Sequence, residues 1–207
     1  MSLAAKLAQG LAELRLELAA DAQQRLLDYL ALIRKWNKVY NLTAVREEEK
    51  MVGHHLLDCL AVVPHVAAPR LVDVGSGAGL PGIPLATALP QSQITLLEAS
   101  HKKATFLRQA VIELKLANVE VVCERAETWY PQAGFGVVIS RAFSGLPEFA
   151  TAAGHLCAKD GMMAAMKGVY PHEELAQLPP AVKLLNVVPL SVPGLGAQRH
   201  LVLMQPA

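Results

Sequence analysis

Two carboxylates and three alternating glycines mark the part of this chain best equipped for chemistry. In Leu71-Val-Asp-Val-Gly-Ser-Gly-Ala-Gly-Leu-Pro-Gly82, the acid Asp73 closes a short apolar run, and Gly75, Gly77 and Gly79 follow at once. Glu98 lies about 20 residues further on, at the end of Gln93-Ile-Thr-Leu-Leu-Glu98. Glycines at this spacing let the chain turn tightly and let a ligand reach bare backbone, since no Cβ intervenes. Strand, glycine loop, helix and a second strand ending in an acid describe half of a nucleoside-binding site.

Two cofactor classes can claim such a loop. Gly77-Ala-Gly79-Leu-Pro-Gly82 satisfies the G-x-G-x-x-G pattern of dinucleotide-binding oxidoreductases, a weak match on its own. Asp73, two residues ahead of Gly75, would repel a pyrophosphate, and Pro81 at the expected first helical position narrows the approach. A cationic cofactor without phosphate fits better. S-adenosylmethionine carries a sulfonium and an α-amino group, which Asp73 favours directly or through water, and Glu98 can accept from both ribose hydroxyls. Charge-assisted bonds of that kind contribute about 1.5–3 kcal/mol each.

The elements that must hold these residues follow from periodicity. From Arg70 onward, strands are expected at 71–74, 94–98, 119–122, 137–140, 162–166, 184–190 and 200–204, with helices at 82–88, 101–116 and 145–157. Regular alternation implies an α/β fold with an open, mostly parallel sheet of seven strands. The last two strands flank Pro193-Gly-Leu-Gly196 too closely for a helical crossover, so a C-terminal antiparallel hairpin is expected. In such sheets ligands lie over the carboxyl ends of the strands. That puts Ala126 and Glu127, after the third strand, near an adenine, and Ser140, Arg141, Ala142 and Phe143, after the fourth, at the crevice floor.

Residues 1–66 read as an N-terminal helical extension and 67–207 as the main domain. Leu7, Leu11, Leu14 and Leu18 recur at helical spacing. Asp21 and Gln24 resemble a capping box before Leu26, Leu27, Leu30 and Ile33. A polar turn at Asn41-Leu-Thr43 leads to a third helix from Glu47 to Val63, halted by Pro64. Arg34, Lys35, Lys38 and Asn41 are candidate RNA contacts, with Trp36 and Tyr40 interleaved. Trp36 shares a face with Ile33 and is expected in the inter-helix packing. Lys167 and Arg199 are further candidates at the crevice mouth.

Composition sets outer bounds. The chain has 207 residues, 53% of them hydrophobic, with a formal net charge of +1 and mean hydropathy +0.30. Nucleic acid, if bound, must be met by a local basic patch. No apolar run reaches the ~20 residues of a membrane span, and Glu13, Arg15 and Glu17 interrupt any signal-peptide core, so a cytoplasmic protein is expected. Cys59, Cys123 and Cys157 have neither metal-ligand nor disulfide-framework spacing, and neither do the histidines. No metal and a monomeric state are expected.

Several motifs occur together in order: Trp36-Asn-Lys-Val-Tyr-Asn-Leu-Thr43, Gly75-Ser-Gly-Ala-Gly-Leu-Pro-Gly-Ile-Pro84, Phe106-Leu-Arg-Gln109, Ser140-Arg-Ala-Phe143, Lys167-Gly168 and Arg199-His-Leu201. With them the chain, from about residue 20 to its end, resembles the bacterial 16S rRNA (guanine-N7) methyltransferases, the glucose-inhibited division protein B family. The resemblance implies a class I S-adenosylmethionine-dependent methyltransferase fold, Rossmann-like, behind the helical extension. It implies cofactor contacts at Gly75, Leu80, Ala126, Glu127 and Arg141. As substrate it implies a guanine in the decoding-region hairpin of 16S rRNA, met as RNA, small subunit or precursor. His54, Cys59 and Gly136 stand where relatives often carry Arg, Ser and Asp.

Guanine N7 offers a lone pair and no proton, so attack on a sulfonium methyl needs no general base. Orientation of the reactants suffices, with Arg141 and Lys167 as orienting candidates. The chain has neither the Asn/Asp-Pro-Pro-aromatic tetrad used on exocyclic amines nor a Pro-Cys nucleophile for pyrimidine carbon. A nicotinamide-dependent oxidoreductase and a non-catalytic RNA-binding assembly factor are the competing readings.

Overall fold

The computed structural model describes residues 1–141 and 143–206; Ala142, expected on the crevice floor, lies outside the described residues. Helices come first: α1 (Leu3–Glu13), α2 (Ala20–Tyr40) and α3 (Glu48–Met51), followed by a π-helical turn (Val52–Leu57), then α4 (Asp58–Leu60) and α5 (Val63–Val66). The sheet is built from β1 (Arg70–Val74), β2 (Gln93–Leu97), β3 (Val119–Val122), β4 (Phe135–Arg141), β5 (Cys157–Lys167), β6 (Val182–Pro189) and β7 (His200–Pro206). Between strands lie α6 (Gly82–Ala88), α7 (His101–Glu113), α8 (Leu146–Ala153) and α9 (His172–Ala176).

Strand order is β3-β2-β1-β4-β5-β7-β6. β1 to β5 run parallel, and β7 pairs antiparallel with both β5 and β6, giving the expected seven-stranded sheet with a C-terminal hairpin. The chain winds outward from β1 through β2 to β3, then returns to β4 on the other side of β1. That reversal opens a crevice at the carboxyl ends of β1 and β4. Leu71, Val72 and Val74 are buried, as are Ile94, Leu96 and Leu97, because helices cover both faces of these strands.

The extension differs from its sequence-based outline in three places. Helix α1 ends at Glu13, and Arg15 takes a positive φ, so Leu18 lies beyond it. α2 begins at Ala20 with Ala19 as its cap and no side-chain bond there; Asp21 therefore sits inside the first turn, facing Arg25, and no capping box forms. The third helix is interrupted by the π-helical turn and stops at Leu60. Pro64 opens the next short helix, where its missing N–H is harmless, rather than ending the previous one. Within α2, Leu26, Leu30 and Ile33 are buried as their spacing predicted, while Leu27 is only half-buried and Tyr29 completes the buried face in its place. Trp36 packs against that core, its ring 5.7 Å from Phe106 of α7 and 5.0 Å from Tyr40.

Core side chains of the extension run continuously into one part of the sheet's core, from Leu7 and Leu30 to Leu96 and Ile139, while Val72, Val74, Val138 and Phe149 belong to a second cluster. Among the described residues no helix is long and apolar enough to cross a membrane, and no group of His, Cys, Asp and Glu is placed to hold a metal. One polar contact pins the extension to the glycine loop: the fully buried Tyr29 hydroxyl donates to the Ala78 carbonyl at 2.5 Å. Burial holds this phenol well above its usual range, so it stays a donor. Tyr29→Phe removes the donor and leaves a carbonyl unmet, which should lower the unfolding free energy in urea by about 1–3 kcal/mol. An unchanged midpoint would show that the bond adds nothing.

Candidate active site

The glycine loop is tethered from three directions. Gly75, Gly77 and Gly79 all adopt positive φ, as their spacing suggested. At Gly75 an added Cβ would meet nothing within 4 Å, so the backbone there is open to a ligand; at Gly79 it would strike Ile83. Gly75 and Ser76 donate their N–H groups to the Leu97 carbonyl (2.8 and 3.1 Å), and Gly77 N–H donates to Glu98 Oε2 at 2.8 Å. Glu98 Oε1 accepts from Ser100 N–H, also at 2.8 Å. Both oxygens of this buried carboxylate are thus engaged with backbone, each keeping a second lone pair for a hydroxyl.

Asp73 lies beneath the loop. It is fully buried; Oδ2 accepts from Gly82 N–H at 2.9 Å, while Oδ1 has no partner. Burial pushes its pKa up to about 7, against opposing pulls from the Gly82 N–H and from Arg141. Pro81 caps α6 rather than forming its first residue, and Leu80 is buried in the core. Ala126, also buried, and Glu127, exposed, form a 3₁₀ turn at the carboxyl end of β3. Asp73, Gly75, Gly77, Gly79, Leu80, Glu98, Ala126, Glu127 and Arg141 therefore gather at the carboxyl end of β1 to β4. An open backbone face flanked by two carboxylates, one with an orphaned oxygen, suits a cationic nucleoside better than a pyrophosphate.

Beside Arg141 opens a cleft of about 380 Å³. Arg141, Lys167, Gly168 and Arg199 line it together with Thr43, His54, His55 and Asp58 from the extension. Asp58 is only 3% exposed, yet it holds two guanidiniums: Arg141 Nη1 donates to Oδ2 at 3.3 Å and Arg199 Nε to Oδ1 at 2.8 Å. Arg141 Nη1 donates also to the His54 carbonyl. Lys167 pairs with Glu174, which accepts Leu146 N–H as well. His55 is buried with its Nε2 2.9 Å from Thr43 Oγ1, and burial lowers its pKa to about 4.

Arg34, Lys35 and Lys38 are exposed along α2 and line a separate cleft, divided from this one by the strap Thr43-Ala-Val45. Arg34 is paired with Glu48. Asn41 ends α2 in a left-handed conformation and is exposed. Asp58, Glu174 and Tyr29 were missed as site-building residues. A charge within the apolar run Leu56-Leu-Asp-Cys-Leu60 was the available signal for Asp58; Glu174 and Tyr29 gave none. At the unusual positions, Cys59 is buried with its thiol pKa pushed far up, and Gly136 packs closely on Ala68.

The sequence model of the family described as rRNA small subunit methyltransferase G matches residues 22–202. The chain belongs to this family. It is 56% identical to Ribosomal RNA small subunit methyltransferase G of Nitrosospira multiformis, covering 100% of this chain and 99% of that one. The counterpart from Chromobacterium violaceum is also 56% identical, over 97% and 96% of the two chains. Among solved structures, a SAM-dependent methyltransferase from Aquifex aeolicus superposes with a TM-score of 0.60 at 15% identity, covering 75% of this chain and 92% of that one. Mitomycin 7-O-methyltransferase gives 0.64 at 15%, covering 77% and 56%. These two show the fold, a class I methyltransferase. Family membership makes the chain an rRNA methyltransferase with S-adenosylmethionine as its cofactor, and sets aside the nicotinamide oxidoreductase and the non-catalytic factor.

The buried acid makes a pH test available. Asp73 titrates near 7 in the fold against 3.8 as a free side chain, so its contribution to stability is present below about pH 4 and lost as pH rises through 7. His55 runs the other way, its contribution being lost as pH falls from 6.5 towards 4. The unfolding free energy of wild type relative to Asp73→Asn should therefore fall as pH is raised across this window. A difference that stays flat would show that Asp73 ionises normally.

Proposed function

We propose that the enzyme methylates N7 of a guanine in the decoding-region hairpin of 16S rRNA. S-adenosylmethionine, bound along the glycine loop, supplies an electrophilic sulfonium methyl. In this reading Glu98 accepts from the ribose hydroxyls, and the open backbone at Gly75 admits the amino-acid end above Asp73. Ala126 and Glu127 flank the adenine, and Leu80 bounds the loop. The acceptor base occupies the cleft beside Arg141.

The cleft's two carboxylates, neither of them free, carry the proposal. Asp58 spends both oxygens on guanidiniums, Glu174 is paired with Lys167, and His55 is buried and bonded to Thr43. A nucleophile that had to lose a proton would find no free carboxylate among these residues; His54, also at the cleft, brings an imidazole whose Nδ1 lies 3.0 Å from the Lys50 carbonyl. N7 has no proton to lose, and guanidinium donors suit the neighbouring O6, an acceptor on the same edge of guanine. Arg141 and Lys167 then act by orientation, holding the base so that N7 would face the methyl that the bound cofactor would supply. Arg199 meets the RNA at the cleft mouth. The separate basic face of Arg34, Lys35 and Lys38, with Asn41, takes phosphates further along. The functional unit is a monomer in which residues 1–66 form the RNA-facing extension of the catalytic domain 67–207.

The decisive experiment supplies methyl-labelled cofactor with small-subunit particles or free 16S rRNA and identifies the modified nucleoside. N7-methylguanosine at a single position in the decoding-region hairpin is expected; methyl on an exocyclic amine or on ribose would overturn the reading. Glu98→Ala should weaken cofactor binding about ten- to a hundredfold by calorimetry, through loss of charge-assisted bonds. Unchanged affinity would remove Glu98 from the ribose.

A further inference from the structure

Beyond Lys167, at the end of β5, the chain leaves the cleft through Gly168 and exposes Val169 and Tyr170, which are 72% and 39% accessible. Tyr170 is braced by two imidazoles. Its ring centroid lies 4.3 Å from His172 at a tilt of 41°, and 5.6 Å from His200, edge-on at 84°. His200 is in turn fixed by its Nδ1, 3.0 Å from the Gly168 carbonyl. Gly168 and Arg199, the residue before His200, both line the acceptor cleft. The ring cluster and the cleft thus share a wall.

We propose that Tyr170, supported by His172 and His200, is a stacking surface for a nucleotide adjacent to the acceptor guanine. The inference rests on the reading of the substrate as RNA. A base that enters the cleft must leave its own stack, which uncovers the faces of its neighbours. Proteins that read unstacked RNA meet such faces with Tyr, Phe, Trp or His rings. Stacking is tolerant of base identity and relies on ring area rather than on charge. A ring already held by two neighbours loses little freedom on contact, so more of the stacking energy appears as affinity. The cleft wall beside it carries three cations, Arg141, Lys167 and Arg199, against the carboxylates of Asp58 and Glu174, which favours a polyanion over an acidic surface of another protein.

A second exposed aromatic pair supplies a control. Tyr130, 75% accessible, lies 4.7 Å from His155, just before β5 begins and so at the opposite end of the sheet from the cleft.

Binding of full-length Tyr170→Ala, Tyr170→Phe and Tyr130→Ala to small-subunit particles should be measured over a range of KCl concentrations, together with base reactivities of the 16S rRNA in each complex. Tyr170→Ala should weaken binding about tenfold, leave the salt slope as in wild type, and free a base beside the methylated guanine to react. Tyr170→Phe and Tyr130→Ala should match wild type, and cofactor affinity should be unchanged throughout. Wild-type binding by Tyr170→Ala would overturn the proposal. So would a flattened salt slope, which marks a phosphate contact, or a loss of affinity with unaltered base reactivities, which marks a ribosomal protein as the partner. Failure of the RNA reading looks different: the wild type itself would then transfer no methyl to the particles.

Discussion

A carboxylate taken out of water needs compensation, and Asp58 receives it from two guanidiniums that arrive from distant parts of the chain. One is Arg141, at the end of β4; the other is Arg199, at the entrance to β7. Asp58 itself belongs to the helical extension. A single buried charge therefore joins the extension, the parallel half of the sheet and the hairpin at the wall of the acceptor cleft. Deleting a partner of such a group leaves an uncompensated charge, which costs far more than an exposed ion pair contributes. The position of both arginines, and with it the cleft's shape, follows from this one contact.

The cofactor loop has an analogous arrangement made with neutral donors. Glu98 takes the Gly77 and Ser100 N–H groups, Asp73 takes the Gly82 N–H, and Tyr29 reaches from α2 to the Ala78 carbonyl. Positive-φ glycines are entropically costly to order. Here backbone groups that would otherwise be orphaned by the turn are met from below, leaving the upper face bare for a ligand. Two acids read in the sequence as ligand contacts prove also to be the supports of the loop.

The sheet was legible because parallel strands buried on both faces read as apolar runs, and because Pro193-Gly-Leu-Gly196 left no room for a crossover. The glycine loop and its acids were legible for a related reason: loop, acid and strand end are fixed by local geometry. The extension was harder. Asp21 looked like a cap only because its own position relative to the helix start was off by two residues, and Pro64 reads the same whether it ends one helix or begins another. Asp58 gains its meaning from partners 83 and 141 positions away, and Glu174 in part from the Leu146 N–H 28 positions away, separations that a local pattern does not encode. Arg34, Lys35 and Lys38 were visible as a basic stretch, but their division from the cleft by the strap at Thr43 is a tertiary fact.

The π-helical turn at Val52–Leu57 sets the phase of everything after it. Wider turns of this kind hold one residue more than an α-helical turn, so the side chains that follow are rotated by about 100° relative to an uninterrupted helix. His55 and Asp58, three positions apart, share a helical face, and the offset sets the direction of Asp58 and of the residues after it. Removing one residue from the turn would restore a regular helix and carry Asp58 away from both arginines, with the composition of the site intact. Spacing in this short segment is therefore as much a part of the active site as the identity of its side chains.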